Sequence, residues 1–166
     1  MYRLLIVDNV FFNGYVLDPH QFGFGEAVMA WTKPIPAVEK AMKPFWTGLK
    51  SHRFLLMKCN ECNAWYWPAT YCRNHRNKPF FGSLSWSDAS GRGKIISFNV
   101  TRVAMRPAFK DDTPYVYALI QLDEGPMISS NIINCAPESV HIDMPVRVVY
   151  RDVEEISMTI PYFELA

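Results

Sequence analysis

Four residues with metal-ligand chemistry lie close together in the chain: Cys59-Asn-Glu-Cys62 and, after nine intervening residues, Cys72-Arg-Asn-His75. A two-residue gap lets both side chains of a tight turn reach one ion, and two such turns complete a tetrahedron of three thiolates and one imidazole. The donor set suits zinc, and iron accepts the same donors. With every position filled by protein, no place remains for a catalytic water, so such a metal holds the fold. A redox Cys-x-x-Cys belongs in a βαβ pattern, which is missing here. A disulfide framework belongs with secretion, and the short apolar run of residues 1–7 is broken by Asp8 and Asn9 before a usable cleavage site. No signal peptide is read, and a cytoplasmic location is expected.

The remaining titratable candidates are weaker. Cys135 ends an apolar segment and is expected as a small buried hydrophobe, with nothing to align it with His141 as a nucleophile. His20 and His52 stand alone. Without a P-loop, a Ser/His/Asp set or paired carboxylates on one face, no catalytic residue is assigned and no chemistry is expected from this chain alone.

The metal motif needs elements to carry it, and 166 residues suffice for one domain with a small appended module. No apolar stretch approaches the roughly 18 residues of a membrane span. Residues 1–33 carry Phe11, Phe12, Tyr15, Phe22, Phe24 and Trp31 without regular period and read as an apolar N-terminal arm that must be covered, by its own barrel or by a partner. Residues 34–54 place Val38, Met42, Phe45 and Leu49 at helical spacing; Pro44 divides this stripe into two short helices, the second beginning near the proline. Residues 55–80 form the zinc ribbon, and residues 81–166 read as strands. Ile96, Phe98 and Val100 alternate with polar residues, and Val103 and Met105 continue on the other parity, which predicts a bulge near Arg102. Residues 115–122, 127–134, 146–150 and 156–160 follow as strands between turn sequences such as Asp123-Glu124-Gly125-Pro126. With residues 84–87 this makes five or six antiparallel strands, the number for a small closed barrel of OB type. The expected class is therefore mainly β: N-terminal arm, short helices, a metal-binding module, and a five- to six-stranded antiparallel OB-fold barrel; that the module is a rubredoxin-like zinc ribbon is what a family resemblance implies.

Charge is unevenly spread. Residues 58–110 hold nine Lys/Arg against Glu61 and Asp88, whereas ten acids from Asp111 onward face only Arg147 and Arg151. A localised positive field suits a ligand with a few phosphates or a nucleic-acid strand, and equally a solvated charged face.

Several separate stretches also resemble a known family. Pro44-Phe45-Trp46 with Gly48-Leu49, the Cys59 to His75 ribbon, Ser90-Gly91-Arg92-Gly93-Lys94-Ile95, Pro114-Tyr115, Leu122-Asp123-Glu124-Gly125, Met144-Pro145-Val146-Arg147-Val148 and Ile160-Pro161-Tyr162-Phe163 are similar, in order, to the zinc-ribbon and OB-fold proteins grouped as domain of unknown function 35. The similarity covers about residues 34–166. It implies a non-catalytic accessory subunit of a thiolase-type complex acting on a 3-oxoacyl-CoA, with structural zinc, a CoA ester as shared substrate and a thiolase-fold partner in a hetero-oligomer. The aromatic arm suggests an aromatic, benzoylsuccinyl-CoA-like acyl group. A sterol side-chain aldolase or hydratase complex is the alternative. A nucleic-acid module using Trp65, Tyr66, Trp67, Phe80, Phe81 and Trp86 for stacking is less favoured. Arg92 and Lys94, with Gly91 and Gly93 between and beside them, are the candidate acyl-CoA contacts, because glycines let a backbone approach a ligand closely; a simple turn is the competing reading. The chain departs from the family at His75, where a fourth cysteine is usual, at Trp67-Pro68-Ala69, where Pro-Pro-Arg is usual, and at Asp143, which replaces a glycine and tolerates positive φ better than most residues.

Overall fold

Pro44 has no N–H to donate and so belongs in the first turn of a helix, where that donor would be unpaired anyway. It occupies the second position of α1 (Lys43–Lys50), which follows a 3-10 turn at Lys40–Met42. The computed structural model describes residues 31–75 and 83–166; the expected arm up to residue 30, together with Phe80 and Phe81, lies outside them. α1 buries Phe45, Gly48 and Leu49. Val38, expected on the same stripe, precedes the helix and is exposed. The helix ends where His52 takes φ +52° and Arg53 N–H turns back to Gly48 O at 2.9 Å, a left-handed termination that releases the chain into a strand.

β1 (Leu55–Cys59) is the centre of a three-stranded antiparallel sheet, flanked by β2 (Trp65–Tyr66) and β3 (Leu84–Asp88). The register Cys59↔Leu84 to Leu55↔Asp88 ties all of β1 to β3. The strand over 84–87, counted at first toward the barrel, thus belongs to the ribbon sheet. Alternation identifies a strand but says nothing of its partner; the ribbon sheet takes this strand and the barrel keeps five, within the expected five or six.

Only three residues separate β3 from β4 (Arg92–Thr101), the first strand of a closed barrel completed by β5 (Tyr115–Leu122), β6 (Met127–Ile132), β7 (Pro145–Val153) and β8 (Met158–Leu165). The order is β4-β5-β6-β8-β7, with β7 closing on β4 through Arg92↔Arg147 and Gly93↔Val146. Pairing is antiparallel except where β6 meets β8 at Ile132↔Phe163, as a Greek-key closure demands. This is the five-stranded OB topology. Val116, Ala118, Ile120 and Leu122 of β5 point inward beside Ile95, Ile132, Val146 and Phe163. α1 closes the core: Phe45 lies 6.0 Å ring to ring from Phe54, and Phe54 meets Phe163 edge-on at 6.1 Å.

The register break in β4 falls between Ile95 and Ser97, not near Arg102. There the strand simply ends, and Val103 and Met105 are exposed at 80% and 99% in the connection to β5. Their apolar character mimicked a strand that the backbone does not continue. Asp143 does adopt the left-handed conformation, φ +66°, and its carboxylate takes Lys94 Nζ at 2.9 Å, so the turn before β7 persists without glycine.

Candidate metal centre and the adjoining groove

The ribbon's two turns bring two ligands each to one place. Cys59 ends β1; its N–H bonds to Ala64 O at 2.8 Å, and Asn63, at φ +58°, turns the chain back into β2. The second turn is held by His75 N–H to Cys72 O at 3.3 Å. The ligand atoms of Cys59, Cys62, Cys72 and His75 all lie within 4.8 Å of one another. Cys62 and Cys72 sulfurs are 3.6 Å apart and both cysteines are free thiols. A disulfide needs about 2.05 Å, whereas sulfurs sharing a tetrahedral ion at about 2.3 Å are separated by roughly 3.8 Å.

A further observation speaks for an ion. His75 Nε2 is buried without a hydrogen-bond partner among the described residues, and an orphaned buried imidazole nitrogen beside three sulfurs is the arrangement a metal would satisfy. The four residues therefore fit a structural zinc. Cys59 and Cys72 are buried and Cys62 is exposed. The N–H of Ala64, then the Asn74 carboxamide, hold the Cys62 thiol down at about 6, which favours the thiolate a metal requires. Asn74 Nδ2 donates to Cys62 Sγ at 3.5 Å, Glu61 N–H to Cys59 Sγ at 3.5 Å, and Tyr66 Oη contacts Cys72 Sγ at 3.2 Å. Such outer contacts fix the orientation and charge of the ligands. The sequence does not mark Tyr66 or Asn74 as a sulfur contact, because Asn74 reaches Cys62 across the two ligand turns and Tyr66 reaches Cys72 from β2.

Beside the ribbon runs a groove of about 620 Å³ between α1 and the second ligand turn, lined by Met42, Trp46, Met57, Pro68, Tyr71 and Arg73. It is mostly apolar, with Arg73 and Glu39 both at its wall, a composition suited to a chain-like ligand with a polar end.

The four candidate CoA contacts fall elsewhere, at the junction of ribbon and barrel. Gly91 has φ +67°, and a Cβ there would collide with Val148 Cγ1; at Gly93 it would collide with the Gln121 carbonyl. Their close approach is to the protein's own barrel. Arg92 and Lys94 point outward from β4, and Lys94 is paired with Asp143. Cys135 is partly buried and packs against the core, and the His141 N–H is directed at Met144 Sδ.

Residues 46–75 match the rubredoxin-like zinc ribbon domain of ChsH2 and residues 86–151 its C-terminal OB-fold domain. A DUF35 domain-containing scaffold protein of Methanocaldococcus jannaschii is 34% identical over 119 residues, 70% of this chain and 82% of that protein. A probable enoyl-CoA hydratase alpha subunit of Thermomonospora curvata is 29% identical over 81% of this chain but only 40% of its own length. The 3-oxo-4,17-pregnadiene-20-carboxyl-CoA hydratase alpha subunit of Mycobacterium tuberculosis is 28% identical over 69% of this chain and 35% of its own length. Among solved structures, a chain of the Ltp2-ChsH2(DUF35) aldolase superposes with a TM-score of 0.67 at 26% identity, covering 79% of this chain and 98% of that one. In this chain the ribbon match precedes the barrel match, and the chain belongs to the DUF35 family of ChsH2-type zinc-ribbon and OB-fold proteins.

Proposed function

We propose that this chain is a non-catalytic accessory subunit of a complex that processes an acyl-CoA, organising the catalytic partner and helping to hold the CoA ester. The observation that carries the reading is the pairing of a closed, fully protein-ligated metal turn with an OB barrel, in relatives named as scaffold proteins, as CoA-hydratase alpha subunits and as part of an aldolase. A closed site holds shape and leaves no open position for reaction. The chemistry then resides in the partner. A thiolase-fold subunit is the partner we assign first: its cysteine nucleophile and oxyanion hole would cleave a 3-oxoacyl-CoA, while this chain contributes zinc-braced surface. The groove beside α1 and the Arg92/Lys94 edge are the places on this chain offered to the pantetheine and phosphate portions.

A hydratase or aldolase partner acting on a steroid-like acyl-CoA is the second reading, favoured by the names of the hydratase and aldolase relatives.

The test is co-expression of this chain with the thiolase-like, aldolase-like or hydratase-like protein encoded beside it. The expected outcome is a stable hetero-oligomer burying more than about 1,000 Å², with acyl-CoA turnover that requires both chains. A partner that neither binds this chain nor loses activity without it overturns the proposal, and the reaction catalysed by a binding partner separates the two readings.

A further inference from the structure

The outer face of the barrel holds a second cleft, which shares β4 with the candidate CoA contacts but is lined by none of them. Cross-strand register puts Asn99 of β4, Tyr117 of β5 and Asn131 of β6 in one lateral row, since Tyr117 pairs with Asn99 on one side and with Asn131 on the other. Thr101 and Tyr115 form the next row. Phe109, on a 3-10 turn at Pro107–Asp112, closes one end, its ring 6.5 Å from that of Tyr115. These six residues line about 510 Å³. Tyr117 is half exposed. Thr101 Oγ1 donates to Asn99 Oδ1 at 3.3 Å, which leaves the Asn99 amide nitrogen as a donor. The Asn131 carboxamide and the Tyr117 hydroxyl make no hydrogen bond among the described residues.

Tyrosine on a solvated strand needs no explanation by itself, given its β-propensity. A tyrosine ring flanked on both sides by carboxamides, with two further aromatic rings at one end, is more specific. It offers a flat face for stacking and donor–acceptor pairs at the edges of whatever stacks. A purely aliphatic ligand would strip water from those amides and return nothing. The connection leading into Phe109 carries Arg102, held by Glu138 at 3.1 Å, and Arg106; Lys110 follows the ring, ahead of Asp111 and of Asp112, whose carboxylate is taken by Lys33 at 2.7 Å. Arg106 and Lys110 are exposed, charges suited to phosphate.

We propose that this cleft binds one nucleotide, free or as the end of a larger cofactor: its base stacks on Tyr117 and Tyr115 and is read by Asn99 and Asn131, with phosphate toward Arg106 and Lys110. The cleft offers one cluster of rings, whereas a single strand of nucleic acid needs a succession of stacking platforms along a basic groove. A mononucleotide is therefore the occupant. Where the nucleotide is the end of CoA, this cleft takes the place of the Arg92/Lys94 edge for its phosphates; the accessory-subunit reading itself is judged separately, by complex formation and turnover.

The experiment titrates the full zinc-loaded chain with AMP, adenosine 3′,5′-bisphosphate, CoA and a single-stranded oligonucleotide, followed by calorimetry and by NMR of the tyrosine rings. The expected result is saturable binding of the mononucleotides with perturbed Tyr115 and Tyr117 signals. Tyr117→Ala should weaken binding about tenfold, as loss of one stacking contact does, and Tyr117→Phe should restore most of it. Asn131→Ala should weaken binding and change the preference among bases. Competition by CoA would identify a cofactor's nucleotide end as the source, and its absence with AMP bound would identify a free nucleotide. No mononucleotide binding, binding indifferent to Tyr117→Ala, or far tighter, steeply salt-dependent binding of the oligonucleotide would each overturn the proposal. Tyr117 lies on the solvent side of β5, and an unchanged melting temperature in each variant separates lost contact from lost fold.

Discussion

Tyr66 Oη lies 3.2 Å from Cys72 Sγ and accepts the Arg73 N–H at 3.2 Å. One phenol thus anchors a ligand sulfur and the backbone just beyond it. Its bond to Cys72, and then burial, push the phenol's pKa up, so the hydroxyl keeps its proton and donates to the sulfur. Tyr66→Phe should leave the fold intact and weaken zinc roughly tenfold, in line with loss of an outer-shell partner. Chelator competition measures the affinity. In the cobalt-substituted protein the thiolate-to-metal band should also move, because the Cys72 thiolate would regain electron density.

Zinc content and folding should fall together. Purified protein is expected to hold one zinc per chain, and Cys62→Ser or chelation should cost the ribbon its structure, since ligand binding there supplies folding energy. Metal analysis alongside far-ultraviolet circular dichroism tests this; a metal-free Cys62→Ser protein with unchanged spectrum and melting temperature would contradict it.

The glycines of the Ser90 to Lys94 stretch should behave as structural residues of unequal cost. Gly93→Ala drives a Cβ into the Gln121 carbonyl on a paired strand, and Gly91→Ala adds a clash with Val148 to a left-handed backbone. Each should cost at least about 1–3 kcal/mol. Gly125 sits at φ +105° with nothing within 4 Å, so Gly125→Ala carries backbone strain alone, about 1–3 kcal/mol. Denaturant melts of the three variants should rank Gly93 as the most damaging.

Acid should weaken the junction of helix and barrel. Thr159, buried beneath it, donates to Asp152 at 2.7 Å, and His52 contacts the same carboxylate at 3.0 Å while its ring stacks on Tyr150. The Thr159 bond first, and then His52, hold the Asp152 carboxyl below its usual range. Arg53 does the same for Asp88, and Asn134 with Arg147 for Glu164. A carboxyl depressed in the folded state contributes stability above its unfolded pKa, near 4, and that contribution is lost as pH falls through the folded value. Melting temperature should therefore drop below about pH 5, and Asp152→Asn should make the acid slope shallower while lowering stability at pH 7.

How much of this was legible depended on range. The metal turn is written in adjacent residues, so Cys59, Cys62, Cys72 and His75 could be assembled without any tertiary knowledge. β5 was visible in full because residues 115–122 are a short apolar run between the turn sequences Lys110-Asp111-Asp112-Thr113-Pro114 and Asp123-Glu124-Gly125-Pro126; which of its residues face inward emerged only from the fold. The pairing of β3 with β1 was hidden, because strand periodicity carries no address. So was the Asn99, Tyr117 and Asn131 row, whose members are neighbours only through two registers. Val103 and Met105 misled for the opposite reason: their side chains imitate a strand, while the backbone has already left the sheet.

The three-residue passage from β3 to β4 makes an elbow. Its first residue is pinned when Ala89 N–H bonds to Phe54 O at 2.9 Å, and its last when Gly91 O accepts the Val148 N–H at 2.7 Å. A joint clamped at both ends transmits torque, so a subunit gripping the barrel also bears on the strand paired with the cysteine-bearing β1. Assembly with a partner and retention of the ion should accordingly reinforce each other: the bound complex should give up its zinc more slowly than the isolated chain, even if the partner never touches the ribbon.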